Sequence, residues 1–296
     1  MSTEVTPARS NVSPRRTDPE RDVRRLALYF VGLVAVYVVG ALALRPTEAN
    51  GFSQIWALVG MAAPTVGALL TRFVGPGVIQ WGRFSWSLVL CLVAALLPVA
   101  VGLLGYRVAT VTGLIDVNEA ALAAALAGAA ASIAAAMITA TGEEIGWRGF
   151  LWPLLRRRFT FIPTTLMVTA IWWAYHVPVI ILGWYGSLGG IPAFTVAIIG
   201  FGAFVGVLTD RSQSIWPSVV AHGGWNALVA TAFVGAFTGN ASLLGEFGWV
   251  AAASMLLLGA VSVAWHLITG GGPRRAYPPR FGSGWTAGSR VEAPVG

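Results

Sequence analysis

Ionisable and amide side chains interrupt the apolar stretches of this sequence at three places, within residues 141–149, 172–178 and 221–226. The side chains there that could do chemistry are Glu143, Glu144, Arg148, Trp172, His176, His222 and Asn226. Ionisable groups inside apolar segments are costly and usually mark a functional site. A carboxylate and a histidine can together activate a water molecule, and histidine or amide N–H groups can stabilise an oxyanion.

Helical spacing predicts different roles for the two adjacent glutamates. Glu144 and Arg148 stand at i and i+4 with the acid first, which is the favourable order for an ion pair. Glu143 lies about 100° further round the same helix, where Arg148 is less well placed to neutralise it. One carboxylate is therefore expected to be structural and the other free for chemistry. An interfacial charge cluster without chemistry stays open as an alternative for this segment.

His176 lies two residues before Pro178, which lacks the backbone N–H that a helix needs. Helix breaks of this kind are tolerated where the backbone lines a cavity, so His176 is expected to border a wet pocket. Trp172 is at i−4 and is predicted to pack against the imidazole. A hydrogen bond between helices is the alternative role for this histidine.

His222 and Asn226 are also four residues apart, so they share one helix face. Gly223 and Gly224 lie between them and allow another backbone or a substrate to approach. A polar packing pair is the alternative interpretation. His266 has no ionisable neighbour at helical spacing, and we expect it to be an interfacial residue without function.

Several reaction types find no support in the sequence. It contains no Gly-x-Ser-x-Gly elbow, no intramembrane Ser–Lys or Asp–Asp pair, and no His-Glu-x-x-His zinc helix. The remaining chemistry is amide hydrolysis by an activated water, without a covalent intermediate. A glutamate in a low-dielectric pocket holds its proton more tightly and becomes a competent general base near neutral pH.

The elements that position these residues are membrane helices. The 296 residues are 56% hydrophobic and only 10% charged, with a mean hydropathy of +0.72. This composition excludes a soluble enzyme, a disordered protein and a basic nucleic-acid module, because soluble domains carry about 25% charged residues. Eight segments have the roughly 20 apolar residues that a transmembrane helix needs: 26–44, 52–70, 84–105, 120–141, 162–183, 191–209, 215–237 and 247–268.

The distribution of basic residues predicts the orientation of these helices. All nineteen basic residues are arginines, and seventeen fall on one side if the eight segments alternate. The positive-inside rule then places both termini in the cytoplasm. The fold prediction is an all-α, polytopic helix bundle, with disordered tails at 1–24 and 270–296 around a membrane domain at 25–269. The alanine-rich fourth segment is predicted to be a central helix that carries its carboxylates into the bundle at its cytoplasmic end.

The three motifs, Glu-Glu-x-x-x-Arg from Glu143, Trp-x-x-x-His from Trp172 and His-x-x-x-Asn from His222, resemble those of the CPBP family. This family comprises CAAX proteases and bacteriocin-processing or immunity proteins. The resemblance covers residues 120–235, and Trp172 stands where the family often has phenylalanine. It implies an intramembrane endopeptidase that cleaves near the cytoplasmic face.

The resemblance also implies a role for each motif residue. Glu143 would be the water-activating base, and His176 would orient the water. Glu144 and Arg148 would support the motif helix, while His222 and Asn226 would stabilise the oxyanion.

The family is often labelled as metalloproteases, and Glu143, His176 and His222, with Glu144, could in principle bind zinc. The glutamate mechanism needs no metal, so we expect no obligatory cofactor. The expected partners are a membrane protein or peptide substrate and the lipid bilayer, without nucleic acid. Prenylation of the substrate stays open.

A lysine-free, alanine- and arginine-rich composition indicates a GC-rich, bacterial genome, and hence a multi-pass protein of the plasma membrane. Two other functions stay open at this point. One is a non-enzymatic immunity or scaffold protein, and the other is a proton-coupled transporter. Transport is disfavoured because few ionisable residues are predicted in the outer half.

Overall fold

The computed structural model describes residues 19–43, 54–75, 79–82 and 88–271. The described residues are 84% helical, which confirms the prediction of an all-α polytopic bundle. Six helices in the described ranges are long and apolar enough to cross a membrane, and a bent pair of helices forms a seventh candidate. Of the predicted tails at 1–24 and 270–296, residues 1–18 and 272–296 lie outside the described residues.

The helices follow the predicted apolar segments closely. In chain order they are α1 (Pro19–Ala43), α2 (Gln54–Leu70), α3 (Leu88–Val111), α4 (Glu119–Ala127), α5 (Ala129–Glu144), α6 (Trp152–Arg156), α7 (Phe161–Ile181), α8 (Ile191–Ser212), α9 (Trp216–Gly224), α10 (Phe233–Ala236) and α11 (Trp249–Ile268). Each of the eight predicted segments contains one or more of these helices within the described residues. The helix of the second segment, α2, has 17 residues and is shorter than the candidate spans.

The fourth segment differs from its prediction in two ways. It is bent by 62° at Gly128, and beyond Glu144 it continues through a π-helical turn, Ile145–Leu151, into α6. The carboxylates therefore lie in the middle of a helix that ends at Arg156, and not at its cytoplasmic end. The continuation is stabilised by burial, because every residue of the π-helical turn is buried.

The prediction that the alanine-rich stretch is a central helix is wrong for most of its length. Between residues 119 and 139, only Leu122 is buried, and burial becomes continuous only around the two glutamates. Alanine side chains bury little apolar area, so the physical driving force for a central position is small. Only the C-terminal end of α5 and the turn that follows it enter the core.

Small residues allow the helix backbones to touch. A side chain at Gly259 of α11 would collide with the backbone of Gly200 in α8, and one at Gly67 of α2 would collide with the carbonyl of Tyr29 in α1. Close approach at small residues is the usual packing mode of membrane helices. The backbones of α8 and α11, and those of α1 and α2, are therefore in direct contact.

A short antiparallel pair of strands joins two loops at one end of the bundle. The strands are β1 (Ile115–Val117) and β2 (Phe237–Gly239). The sequence analysis did not predict this pair. It fixes the start of the loop that runs from β2 to α11.

The opposite end of the bundle carries buried charges. Asp210 pairs with Arg156 at 2.8 Å, and Asp22 lies 3.3 Å from Arg158 and 3.7 Å from Arg157. Helix α1 begins at Pro19, so its first turn extends into the segment predicted to be a tail. Proline is favoured at the first helical position, which explains this start.

His266 is not the interfacial residue that we expected. It is only 1% exposed, its ring packs on Phe161 at 4.2 Å, and its Nδ1 accepts a hydrogen bond from Arg211 at 3.0 Å. Its Nε2 lies 3.4 Å from Asp210. The neighbours come from other helices, so spacing along α11 could not reveal them.

Candidate active site

One cavity of about 350 Å³ is lined by residues from all three motifs. The predicted residues on its wall are Glu143, Trp172, His176, His222 and Asn226. Glu144 and Arg148 are both buried and lie behind this wall. The structure therefore brings the two imidazoles and one of the two acids to a shared space.

Glu143 is held by two indole rings. Its Oε2 accepts hydrogen bonds from Trp172 at 2.8 Å and from Trp147 at 3.1 Å, and the residue is only 2% exposed. Its Oε1 makes no hydrogen bond within the described part of the chain. Fixing one oxygen with neutral donors leaves the other available to accept a proton from a molecule in the cavity.

Glu144 links the first and third motifs. Its Oε1 accepts hydrogen bonds from Arg148 at 2.8 Å and from Nδ1 of His222 at 2.9 Å. The predicted Glu144–Arg148 ion pair is confirmed. The bond to His222 was not predicted, because it depends on the packing of α5 against α9. A histidine oriented by a carboxylate presents its second nitrogen in a fixed direction.

Trp172 lies at the centre of the site. Its ring is 5.8 Å from that of His176 and 5.3 Å from that of His222, in edge-to-face geometry, and the Arg148 guanidinium lies 4.7 Å from its centroid. The predicted packing of Trp172 against His176 is confirmed. The same indole donates to Glu143, so one side chain positions the acid and both imidazoles.

The hydrogen bond of His176 identifies its protonated nitrogen. Nδ1 lies 2.8 Å from the carbonyl oxygen of Trp172. A carbonyl only accepts, so Nδ1 carries the proton and Nε2 is available to accept a hydrogen bond in the neutral ring. His176 can therefore orient a water molecule in the cavity.

Helix packing sets the positions of the motif residues. A side chain at Gly146 would collide with Pro64 of α2, and one at Gly142 would lie 2.8 Å from the carbonyl of Met61. In α9, a side chain at Gly223 would lie 3.0 Å from the backbone nitrogen of Met137. The close approach predicted for Gly223 is thus found, and its partner is α5.

The helices that carry the first and third motifs, α5 and α9, each continue into a π-helical turn. One is Ile145–Leu151, directly after the two glutamates, and the other is Trp225–Ala232, which contains Asn226. Such turns occur frequently at functional sites. The side chain of Asn226 lines the cavity and has no hydrogen-bond partner among the described residues, so it is available to a bound molecule.

The sequence analysis missed Glu246, which also lines the cavity. Its Oε2 accepts a hydrogen bond from Trp225 at 3.1 Å, and Tyr185 is a second hydrogen-bond partner. Burial raises the pKa of Glu246 above its usual value. No sequence motif marks this residue, because it lies in the loop before α11 and reaches the site only through the fold.

Two lining residues show where the cavity lies along the bundle. Tyr185 follows the end of α7 and Glu246 precedes α11, so both lie at the end of the bundle opposite Arg156. The end of the bundle that carries Arg156, Arg157 and Arg158 is called the arginine-bearing end. On that side, the cavity is closed by Trp147 and Phe150, which are fully buried. If that end is cytoplasmic, the cavity lies away from the cytoplasmic face.

The conditional zinc ligands do not form a metal site in this structure. Across the described ranges, no group of three or more His, Cys, Asp or Glu side chains is arranged to hold a metal ion. One oxygen of Glu143, Oε2, instead accepts hydrogen bonds from two indole N–H groups. No step below uses a zinc ion.

The fold and the site together define a multi-pass membrane protein with an acid–histidine cavity. Residues 124–228 match the family model described as Rce1-like, type II CAAX prenyl endopeptidase Rce1-like. This segment contains all seven predicted site residues, and the match confirms the resemblance to the CPBP and CAAX proteases there. At the family level, the match supports a membrane-embedded endopeptidase. A comparison with curated proteins gives no match.

Proposed function

We propose that this protein is an intramembrane endopeptidase that hydrolyses peptide bonds with a water activated by Glu143 and His176. The observation that carries the proposal is the shared cavity, on whose wall Glu143, His176 and His222 lie together, each held by a hydrogen bond to a neighbouring group. Fixed orientation of catalytic groups lowers the barrier because little reorganisation is needed during the reaction.

In the proposed first step, water attacks the carbonyl carbon of the scissile amide. His176 Nε2 accepts a hydrogen bond from that water and orients it, while Oε1 of Glu143 takes the other proton. A carbon–oxygen bond forms and the carbonyl electrons move to its oxygen. The product of this step is a tetrahedral oxyanion.

His222 and Asn226 are the proposed donors to that oxyanion. We propose that His222 carries a proton on both ring nitrogens, with its Nδ1–H donating to Glu144 at 2.9 Å. Its Nε2–H can then donate to the oxyanion, together with the amide of Asn226. In the second step, Glu143 returns its proton to the amide nitrogen, the carbon–nitrogen bond breaks, and an amine and a carboxylic acid leave.

The position of the cavity bears on where cleavage occurs. We place the reaction in the half of the bundle away from the arginine-bearing loops, in contrast to the cytoplasmic face expected from the sequence. Packed aromatic and ionic groups close the site on the arginine side. Membrane proteins or peptides remain the proposed substrates, and no prenyl group is required.

The decisive experiment is cleavage of a membrane-tethered peptide library by purified protein in proteoliposomes. The variant Glu143→Gln keeps the size of the side chain and removes the base. We expect cleavage to fall by roughly 10²-fold or more, the usual contribution of a general base. The wild-type rate should persist in the presence of a metal chelator.

A matched control is Glu119→Gln, since Glu119 is an exposed carboxylate that pairs with Arg107 outside the cavity. This variant should cleave like the wild type. Equal cleavage by the Glu143 variant and the control would remove the catalytic role of Glu143. Loss of activity with chelator and its return with zinc would remove the metal-free mechanism.

A further inference from the structure

Glu246 is a second carboxylate in the cavity that the proposed hydrolysis does not use. It comes from the loop between β2 and α11, whereas Glu143 comes from the middle of a long helix. Its two hydrogen-bond partners, Trp225 and Tyr185, are neutral donors from two further elements. Three separate parts of the chain thus converge on this one side chain.

The carboxylate of Glu246 can accept further hydrogen bonds. An ionised carboxylate offers about four lone-pair positions, and two donors account for only part of them. No ion pair within the described residues includes Glu246, although His222 lies near enough to lower its pKa. A carboxylate held away from water without a counter-charge is costly, and a cation that enters the cavity would remove that cost.

The surroundings of Glu246 are aromatic. Tyr185 lies 6.1 Å from Phe194 and 5.7 Å from His176, measured between ring centroids, and Trp225 packs on Phe201 at 4.9 Å. Aromatic faces beside a carboxylate are the usual environment for a lysine or arginine side chain, because both attract positive charge. His176 borders the same group of rings, so a cation bound there would be close to the proposed reaction centre.

We propose that Glu246, with Tyr185 and Trp225, forms a subsite that recognises a lysine or arginine side chain of the peptide substrate. This inference deepens the proposed endopeptidase function and rests on it. The ion pair would hold the peptide backbone against His176, and the aromatic walls would cover the aliphatic stem of the bound side chain. Burial raises the pKa of Glu246, which is consistent with a carboxyl that awaits a counter-charge.

Binding can be measured without turnover in the Glu143→Gln protein, reconstituted in nanodiscs. Three peptides that differ at a single position, arginine, citrulline or norleucine, serve as probes. A charge-assisted hydrogen bond predicts an affinity about ten-fold higher for the arginine peptide than for the other two. Scanning that position along the peptide locates the subsite relative to the scissile bond.

The key variant adds Glu246→Gln to this protein. The amide oxygen can still accept from Trp225, so the loop keeps its hydrogen bond while the negative charge is lost. We expect the preference for arginine to disappear, with the citrulline and norleucine peptides binding as before. Glu119→Gln in place of Glu246→Gln should leave the preference intact.

Two outcomes would overturn the subsite. One is equal affinity for all three peptides in the Glu143→Gln protein at every position scanned. The other is a uniform loss of affinity for all three in the Glu246 variant, which would make Glu246 a support for its loop. A clear arginine preference in a wild-type protein that cleaves nothing would instead refute the peptidase and leave the cation subsite standing.

Discussion

One carboxylate oxygen of Glu144 receives hydrogen bonds from both Arg148 and His222, and all three side chains are buried. Removing one member of a buried pair leaves the other charge uncompensated and costs roughly 3–5 kcal/mol. We therefore expect Glu144→Gln and Arg148→Gln each to destabilise the protein strongly. The double variant should lose much less than the sum, as measured by unfolding in detergent.

The exposed pair Arg107 and Glu119 provides the comparison for this double-mutant cycle of Glu144 and Arg148. Surface ion pairs are well screened, so Arg107→Gln and Glu119→Gln should be nearly additive. Additive losses for the buried pair as well would show that Glu144 and Arg148 do not interact energetically.

Glu246 predicts a pH dependence of stability. Its pKa is raised by burial from an ordinary value of 4.5, so the folded state holds this proton more tightly than the unfolded state. Stability from this group is full below pH 4.5 and falls as the pH rises through the folded pKa. Glu246→Gln should flatten this part of the curve of melting temperature against pH. An unchanged slope in the variant would contradict the assignment.

At the level of residues, the sequence predicts contacts within a helix and misses those between helices. The Glu144–Arg148 pair and the packing of Trp172 on His176 follow from i, i+4 spacing. The bonds from Trp172 to Glu143 and from His222 to Glu144 join different helices. No periodicity in a single sequence encodes the relative rotation of two helices, and Glu246 was missed for the same reason.

Among the elements, α2 determines where the first motif lies. Gly146 touches Pro64 so closely that an added methyl group would collide with it. We expect Gly146→Ala to destabilise the protein by roughly 1–3 kcal/mol through overpacking, although alanine favours a helix. Cleavage should fall in parallel, because the turn after Glu143 would move.

Gly235→Ala is the matched control, since a side chain at Gly235 meets nothing within 4 Å. Thermal unfolding and cleavage of both variants are measured together. If Gly146→Ala changed neither stability nor cleavage, α2 would have moved to accommodate the methyl group. It would then not determine the position of the first motif.

The long apolar helices could be predicted because apolar length alone defines a membrane helix. The bend at Gly128, the two π-helical turns and the exposure of the alanine-rich stretch could not. These features depend on which neighbour each turn meets. Gly128 in particular does not stand out, since glycine occurs 36 times in the chain.

For the whole molecule, the arginine-bearing end predicts the orientation in the membrane. Thr160 lies at that end and Ser187 lies at the other, and both are exposed. In a Cys91→Ala background, Ser187→Cys should react with an impermeant maleimide added to intact cells. Thr160→Cys should react only after the cells are permeabilised, because positive loops stay in the cytoplasm.

The reverse labelling pattern would invert the orientation, and with it the side from which the cavity is reached. Labelling of both positions in intact cells would contradict the assignment of α7 as a complete span.

The π-helical turn after Glu144 has a consequence for how this chain tolerates change in length. Each residue advances a helix by about 100°, so deleting one residue from Ile145–Leu151 would swing Arg156 away from Asp210, to which it now bonds at 2.8 Å. The π-helical turn thus sets the rotation between the two parts of this helix. The first part directs Glu143 at the cavity, and the second directs Arg156 at Asp210.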